Sequence, residues 1–210
     1  MLLRLFLIVM MLMPAGAFAA PTILVYGDSL SAAYGMATDE SWVYLLQQRL
    51  QQSGYSHVVV NASISGETTS GGLSRIEKTL IMHRPTLVIL ERGANDGLRG
   101  LPIIEMRRNL TMMIDACRRH RTKVLLVGMR LPPNYGPRYA TAFMESYPLL
   151  ARQQQLPLLE FLLDGVAGRP QLTQDDGLHP TAAAQPRLLD NVWPRLKPLL
   201  AKSVNRGATR

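Results

Sequence analysis

The sequence predicts an α/β fold in which a parallel sheet carries helices on both faces, and three observations predict it. Five short runs rich in Val, Ile and Leu recur at 22–26 (TILVY), 58–62 (VVVNA), 86–90 (TLVIL), 123–128 (KVLLVG) and 156–160 (LPLLE). None of them alternates polar with apolar residues, which is the mark of strands buried on both faces. The segments between them repeat apolar residues at helical spacing, and strand alternating with helix along the whole chain is the pattern of a parallel sheet built from crossover units.

The helices are read from their apolar stripes. After Asp39, the residues Trp42, Leu45, Leu46 and Leu50 share one face; Leu73, Ile76 and Leu80 share another. The longest stripe is Ile103, Met106, Leu110, Met113, Ile114 and Cys117, opened by Pro102 in the first turn. Tyr139, Phe143, Tyr147 and Leu150 make a fourth. Residues 181–201 are helical in pattern, with Pro186, Pro194 and Pro198 expected to break or bend them. Cys117 is the single cysteine. It falls in a core stripe and cannot form an internal disulfide or a thiolate metal site. The 210 residues show no repeat and no linker, and fit one domain over residues 20–210.

Residues 1–19 differ from the rest. Arg4 precedes an apolar run from Leu5 to Met13, Pro14 and Gly16 interrupt it, and Ala17-Phe18-Ala19 gives a small-x-small cleavage pattern, so the segment reads as a secretory signal peptide. The run is shorter than the roughly 20 residues that span a bilayer, and no membrane anchor is expected once it is removed. Export without structural disulfides points to a bacterial periplasmic or secreted protein. The net charge is +8, but the basic residues are dispersed, and pairs such as Arg107-Arg108 and Arg118-Arg119 suit solvated helix faces rather than a nucleic-acid patch. The chain is expected to be a monomer.

In open parallel sheets, ligands bind beyond the carboxyl ends of the strands. Four polar clusters stand there or before the last helix: Gly27-Asp28-Ser29-Leu30-Ser31, the stretch from Asn61 to Thr68, Gly93-Ala94-Asn95-Asp96-Gly97, and Asp175-Asp176-Gly177-Leu178-His179-Pro180. Ser29 reads either as a nucleophile presented by a tight turn or as a helix cap. A serine needs a base, and His179 is the one histidine of four inside such a cluster; His57, His83 and His120 sit near element ends and read as surface residues. Asp176, three residues before His179, is favoured over Asp175 as the carboxylate that orients the imidazole. Acyl transfer also needs donors for an oxyanion: the Ser29 N–H, the Gly66 N–H and the Asn95 amide are the candidates, although Gly66 and Asn95 taken singly are ordinary turn residues.

In their order along the chain, Ser29, Gly66, Asn95 and His179 resemble the four blocks of the SGNH (GDSL-type) hydrolase superfamily. GDSLSAAYGM, NASISGETTSGGL, NDGLRG, MRLPPNYGPRY and DDGLHP are similar to its bacterial periplasmic thioesterase I, lysophospholipase L1 and arylesterase subfamily. Ala94 departs from a pattern that often has glycine before the asparagine. The resemblance implies a flavodoxin-like three-layer α/β/α sandwich with a five-stranded parallel sheet, and a Ser29-Asp176-His179 triad that uses no metal and no cofactor. It also implies hydrolysis of small-molecule acyl esters and thioesters: aryl esters, acyl-CoA and lysophospholipids. The GxSxG elbow of the other serine-hydrolase route is absent. Leu131, Pro132 and Tyr135, in the proline-rich segment after the fourth strand, are the candidate substrate-binding residues. A sugar or polysaccharide O-acetyl esterase or acyltransferase would share this site. A non-catalytic phosphate binder built on residues 29–31 and 68–70 would leave His179 and Asn95 without a task.

If residues 1–19 are a signal peptide, intact-mass analysis of the exported protein should give a chain beginning at Ala20. A mature species that keeps Leu5 to Met13 would contradict it.

Overall fold

The computed structural model describes residues 20–200; the expected signal peptide at 1–19 lies outside the described residues, as do residues 201–210. Five parallel strands form one sheet: β1 (Thr22–Tyr26), β2 (Val58–Asn61), β3 (Leu87–Glu91), β4 (Lys123–Val127) and β5 (Leu158–Leu159), in the order β2-β1-β3-β4-β5. The helices are α1 (Trp42–Gln52), α2 (Thr69–His83), α3 (Ala94–Leu98), α4 (Ile103–Arg119), α5 (Pro137–Gln153) and α6 (Gln185–Leu196). α1 packs against α6, while α2, α4 and α5 pack in a row. The chain moves outward from β1 to β2 and then back across to β3. With right-handed crossovers this puts α1 on one face of the sheet and α2, α4 and α5 on the other, the three-layer sandwich expected.

Burial explains the elements. Ile23 to Tyr26 of β1 and all of β3 are buried, as uninterrupted apolar runs require. β2 departs from that reading. It is an edge strand, so Val58 and Asn61 are exposed and only its middle is half-buried. β5 is shorter than the run 156–160 because Pro157 has no N–H to give the ladder, although its carbonyl accepts from the Leu126 N–H. In α4, Met106, Leu110, Met113, Ile114 and Cys117 are buried, and burial pushes the Cys117 thiol up to about 12. In α5, Phe143, Tyr147 and Leu150 are buried, but Tyr139 stays half-exposed with its hydroxyl donated to the Leu101 carbonyl at 2.7 Å.

The prolines of α6 do less than expected. Pro186 sits in the first turn, where its missing N–H is not needed, and the helix runs on through Pro194 to Leu196, with Pro198 in a following 3-10 turn. His57 corrects the sequence reading of three surface histidines. It is buried, and burial together with the Lys123 charge lowers its pKa.

α3 replaces an expected turn, and it packs closely. A Cβ on Gly97 would lie 2.6 Å from both Leu131 Cδ2 and Phe143 Cε2. Gly128, just past β4, is more constrained still, since a Cβ there would lie 2.3 Å from the Glu160 backbone carbonyl oxygen. Gly128→Ala should therefore lower stability by about 2 kcal/mol, the usual size of an overpacking penalty. Urea denaturation would show this as a lower midpoint at unchanged slope; an unchanged midpoint would mean the β5 edge yields freely.

Candidate active site

The crevice lies where strand order reverses, between the carboxyl ends of β1 and β3. The residues after β1 do not start a helix. The Ser31 and Ala32 N–H groups both donate to the Asp28 carbonyl, at 3.2 and 3.0 Å, and α1 begins only at Trp42. Ser29 is thus held in a run of tight turns, and the helix-cap reading does not apply to it.

The Ser29 hydroxyl meets His179 Nε2 at 2.8 Å, and His179 Nδ1 meets Asp176 Oδ2 at 2.5 Å. The other Asp176 oxygen accepts the Leu178 and His179 N–H groups, both at 2.9 Å. Desolvation alone would push the Asp176 carboxyl up; the hydrogen bonds from the His179 N–H, its ring and the Leu178 N–H outweigh it and hold the pKa at about 2. An ionised carboxylate only accepts, so Nδ1 carries the imidazole proton and the Nε2 lone pair is left to receive the serine proton. Asp175 is exposed, and no hydrogen bond or ion pair connects it to His179.

Two contacts pin the His179 loop that sequence reasoning missed. The Gln174 amide donates to the Tyr34 carbonyl at 2.8 Å, tying the loop to the turns after Ser29. The Tyr34 ring lies over the imidazole, with centroids 4.3 Å apart and planes tilted by 35°. Tyr34 lies within the GDSLSAAYGM segment, where the sequence assigns it no role, and Gln174 lies in no such segment.

The oxyanion candidates converge on the same crevice. Gly66 has φ +74, a conformation that favours glycine, and its carbonyl accepts from Arg99 Nη2 at 2.7 Å. The Ser29 and Gly66 N–H groups are given to no acceptor among the described residues. One hydrogen of the Asn95 amide goes to Asp28 Oδ2 at 3.1 Å, which leaves the other free to point elsewhere. The loop carrying Gly66 is clamped through Glu67. Arg75 Nε and Nη2 reach that carboxylate at 2.6 to 3.0 Å, and Nη2 of the fully buried Arg92 pairs with it at 2.5 Å. Both guanidinium groups flank the Tyr26 ring, at 4.2 and 4.7 Å.

Behind Ser29 lies a buried pair of carboxyl groups. Asp28 Oδ1 accepts the Leu30 N–H at 3.1 Å, and Glu91 Oε2 accepts the Asp28 N–H at 3.1 Å and the Ser31 hydroxyl at 2.8 Å. Burial raises Asp28 to about 6 against the opposing hydrogen bonds, and burial followed by the Asp28 charge raises Glu91 well above the usual carboxylate range. Neither group stood out in the sequence.

A cavity of about 590 Å³ opens over Ser29, His179, Gly66 and Asn95. Its walls are largely apolar, with Leu98, Met129, Leu131, Pro132, Phe161 and Leu163 among the lining residues. Leu131 and Pro132 therefore line it as expected. Tyr135 does not; its hydroxyl is donated to the Leu98 carbonyl at 3.1 Å and it braces the wall from outside. Phe161, Leu163, Ala167 and Gly168 follow β5, in a stretch with no sequence signal for a binding wall.

The profile of the GDSL-like Lipase/Acylhydrolase family matches residues 25–186, from β1 into α6. The chain belongs to this family. Esterase TesA of Pseudomonas aeruginosa is 53% identical over 182 residues, covering 87% of this chain and 90% of its own. The thioesterase 1/protease 1/lysophospholipase L1 of Escherichia coli K12 is 42% identical over 184 residues, 88% of this chain and 87% of its own. The crystal structure of the psychrotrophic esterase EstA from Pseudoalteromonas sp., inhibited by monoethylphosphonate, superposes with a TM-score of 0.81 at 41% identity, covering 84% of this chain and 97% of that one. This GDSL-family chain has no helix among its described residues long and apolar enough to cross a membrane.

The raised Asp28 pKa has a consequence for stability. Its ordinary value is 3.8 and its folded value about 6, so its contribution is fully present below about pH 4 and is lost as pH rises through 6. The loss amounts to about 3 kcal/mol at most. Asp176, held at about 2 against an ordinary 3.8, gains its stabilisation as pH rises through about 4, so above pH 4.5 its contribution is nearly constant. Asp28→Asn cannot titrate, so between pH 4.5 and 7.5 its urea midpoint should fall less than that of the unaltered protein. An equal fall in both would mean that Asp28 carries no such penalty.

Proposed function

We propose that the protein hydrolyses carboxylic esters and acyl thioesters through an acyl-serine intermediate on Ser29. The observation that carries the reading is the continuous hydrogen-bonded line from Ser29 through His179 to Asp176, with Ser29 and His179 lining a largely apolar cavity. His179 Nε2 takes the Ser29 proton as Oγ attacks the acyl carbonyl. The developing oxyanion receives the Ser29 and Gly66 N–H groups and the free amide hydrogen of Asn95. Collapse expels the alcohol or thiol, which His179 protonates. His179 then deprotonates a water that attacks the acyl-serine, releasing the acid and restoring the serine.

The names of the relatives support the same chemistry: esterase for one, thioesterase and lysophospholipase for another, and a phosphonate-inhibited esterase for a third. The apolar walls at Leu131 and Pro132 favour an acyl chain over an acetylated sugar. The mature enzyme, freed of residues 1–19, works in the periplasm or outside the cell. Catalysis needs no second chain, since every group in the proposed machinery comes from one.

Ser29→Ala should lower kcat by about 10⁴-fold or more with the fold intact by circular dichroism, and Asn95→Ala by about 10² to 10³, the usual worth of one oxyanion donor. Retention of more than a few per cent of activity in Ser29→Ala would sink the reading. Across a series of saturated acyl esters, kcat/KM should rise by at most about four-fold per added methylene until the cavity is filled. A flat profile from two to twelve carbons would mean that Leu131 and Pro132 hold no acyl chain.

A further inference from the structure

Arg130 stands apart among the side chains that line the cavity. Among the described residues that line the cavity it is the one Lys or Arg, and it is exposed. Its guanidinium lies 4.8 Å from the centroid of the Phe161 ring, a second lining residue. Among the described residues it forms no ion pair and no hydrogen bond. The contrast with nearby arginines is clear: Arg99 is committed to the Gly66 carbonyl, and Arg75 and Arg92 to Glu67. Stacking on Phe161 fixes the position of the charge while leaving its N–H fork unused.

An unneutralised guanidinium at the exposed part of an apolar cavity selects for an anion in the substrate. Which part of the substrate bears that anion follows from the walls. An acyl chain goes to Leu131, Pro132 and their apolar neighbours, so the polar leaving group is what remains near the solvent-facing side. Arg130 also shares one cavity with Ser29, so an anion held by the one and an ester attacked by the other can belong to a single substrate. Resting on the hydrolase reading above, we infer that Arg130 is a specificity-determining residue that pairs with a phosphate on the leaving group, giving preference to acyl esters of glycerol phosphate.

The test compares two soluble substrates with the same ester bond, 1-octanoylglycerol 3-phosphate and 1-octanoylglycerol. The readout is the ratio of their kcat/KM values in the unaltered enzyme and in Arg130→Gln, Arg130→Glu and Arg130→Lys. The ratio should fall about three- to ten-fold in the Gln variant, the range for an exposed charge-assisted pair, fall further in Glu, and be largely kept in Lys. Added salt should narrow the preference of the unaltered enzyme. Arg84→Gln, which removes the same charge just before β3 at the opposite end of the strand, should leave the ratio as it was and so exclude a general field effect.

A second pair separates the sources of phosphate. Octanoyl-CoA and S-octanoyl-N-acetylcysteamine share a thioester but differ in the diphosphate and 3′-phosphate that CoA carries far from it, and their ratio should respond to Arg130→Gln more weakly than the glycerol pair. A glycerol-pair ratio unchanged in both the Gln and Glu variants would overturn the inference, as would an effect confined to the CoA pair. Failure of the unaltered enzyme to hydrolyse any of the four substrates would instead overturn the hydrolase reading itself.

Discussion

The site depends on β1 being paired on both sides. Val25 stands opposite Asn61 on β2 and Ile89 on β3, and Tyr26 stands opposite Leu90. Parallel registry then carries the chain out of the sheet at Ser29, at Ser63 to Gly66, and at Gly93 to Asn95, all at one edge. The Gly27 N–H donates to the Ser63 hydroxyl at 3.0 Å, and the Asp28 carboxylate accepts from Asn95 at 3.1 Å, so the three loops are bonded to one another as soon as they leave their strands. Asp96 extends the linkage by accepting the Thr69 N–H at 2.8 Å and hydroxyl at 2.6 Å, which ties α3 to the start of α2. Shifting β1 by one residue would reverse the faces of Ile23 to Tyr26 and dissolve all of these contacts.

The same arrangement concentrates electrostatic strain behind Ser29. Two carboxyl groups, Asp28 and Glu91, are both buried and share the Asp28 backbone as a hydrogen-bonded link. A fold optimised only for stability would replace them with apolar side chains. Asp28 has a second task that an apolar residue could not perform: it holds the Asn95 amide with one hydrogen committed and one available. Glu91 in turn fixes the turn by accepting from Asp28 and Ser31. The fold thus tolerates an unfavourable buried pair where it orients the Asn95 amide, a compromise that the proposed role of Asn95 would explain.

How much of this was legible in the sequence depended on the kind of force involved. Burial writes a periodic signal, so the four helical stripes and the uninterrupted strands β1, β3 and β4 could be read directly. Edge effects write none: nothing in VVVNA distinguishes an edge strand from a central one, and Pro157 was the sole hint that β5 would be short. Ser29, Gly66, Asn95, Asp176 and His179 were legible through residue type at turn positions and family resemblance. Their supports were not. Gln174, Tyr34, Glu91 and the Glu67 clamp act through contacts between residues far apart in sequence; Gln174 bonds to Tyr34 across 140 residues and Ser29 meets His179 across 150. Tyr135 shows the reverse case: an aromatic residue in a loop next to the site reads as a binding surface, whereas its hydroxyl is donated to the Leu98 carbonyl and it is not among the residues that line the cavity.

The central claim is that the Ser29 hydroxyl, deprotonated by His179, is the nucleophile. Treating the mature protein with a fluorophosphonate ester and mapping the modified peptide by mass spectrometry tests it most directly, because the phosphonyl group stays on the atom that attacked. The account predicts one equivalent per chain, attached to Ser29, appearing in step with loss of esterase activity. Complete inactivation with the Ser29 peptide unmodified, or the label on another residue, would contradict it.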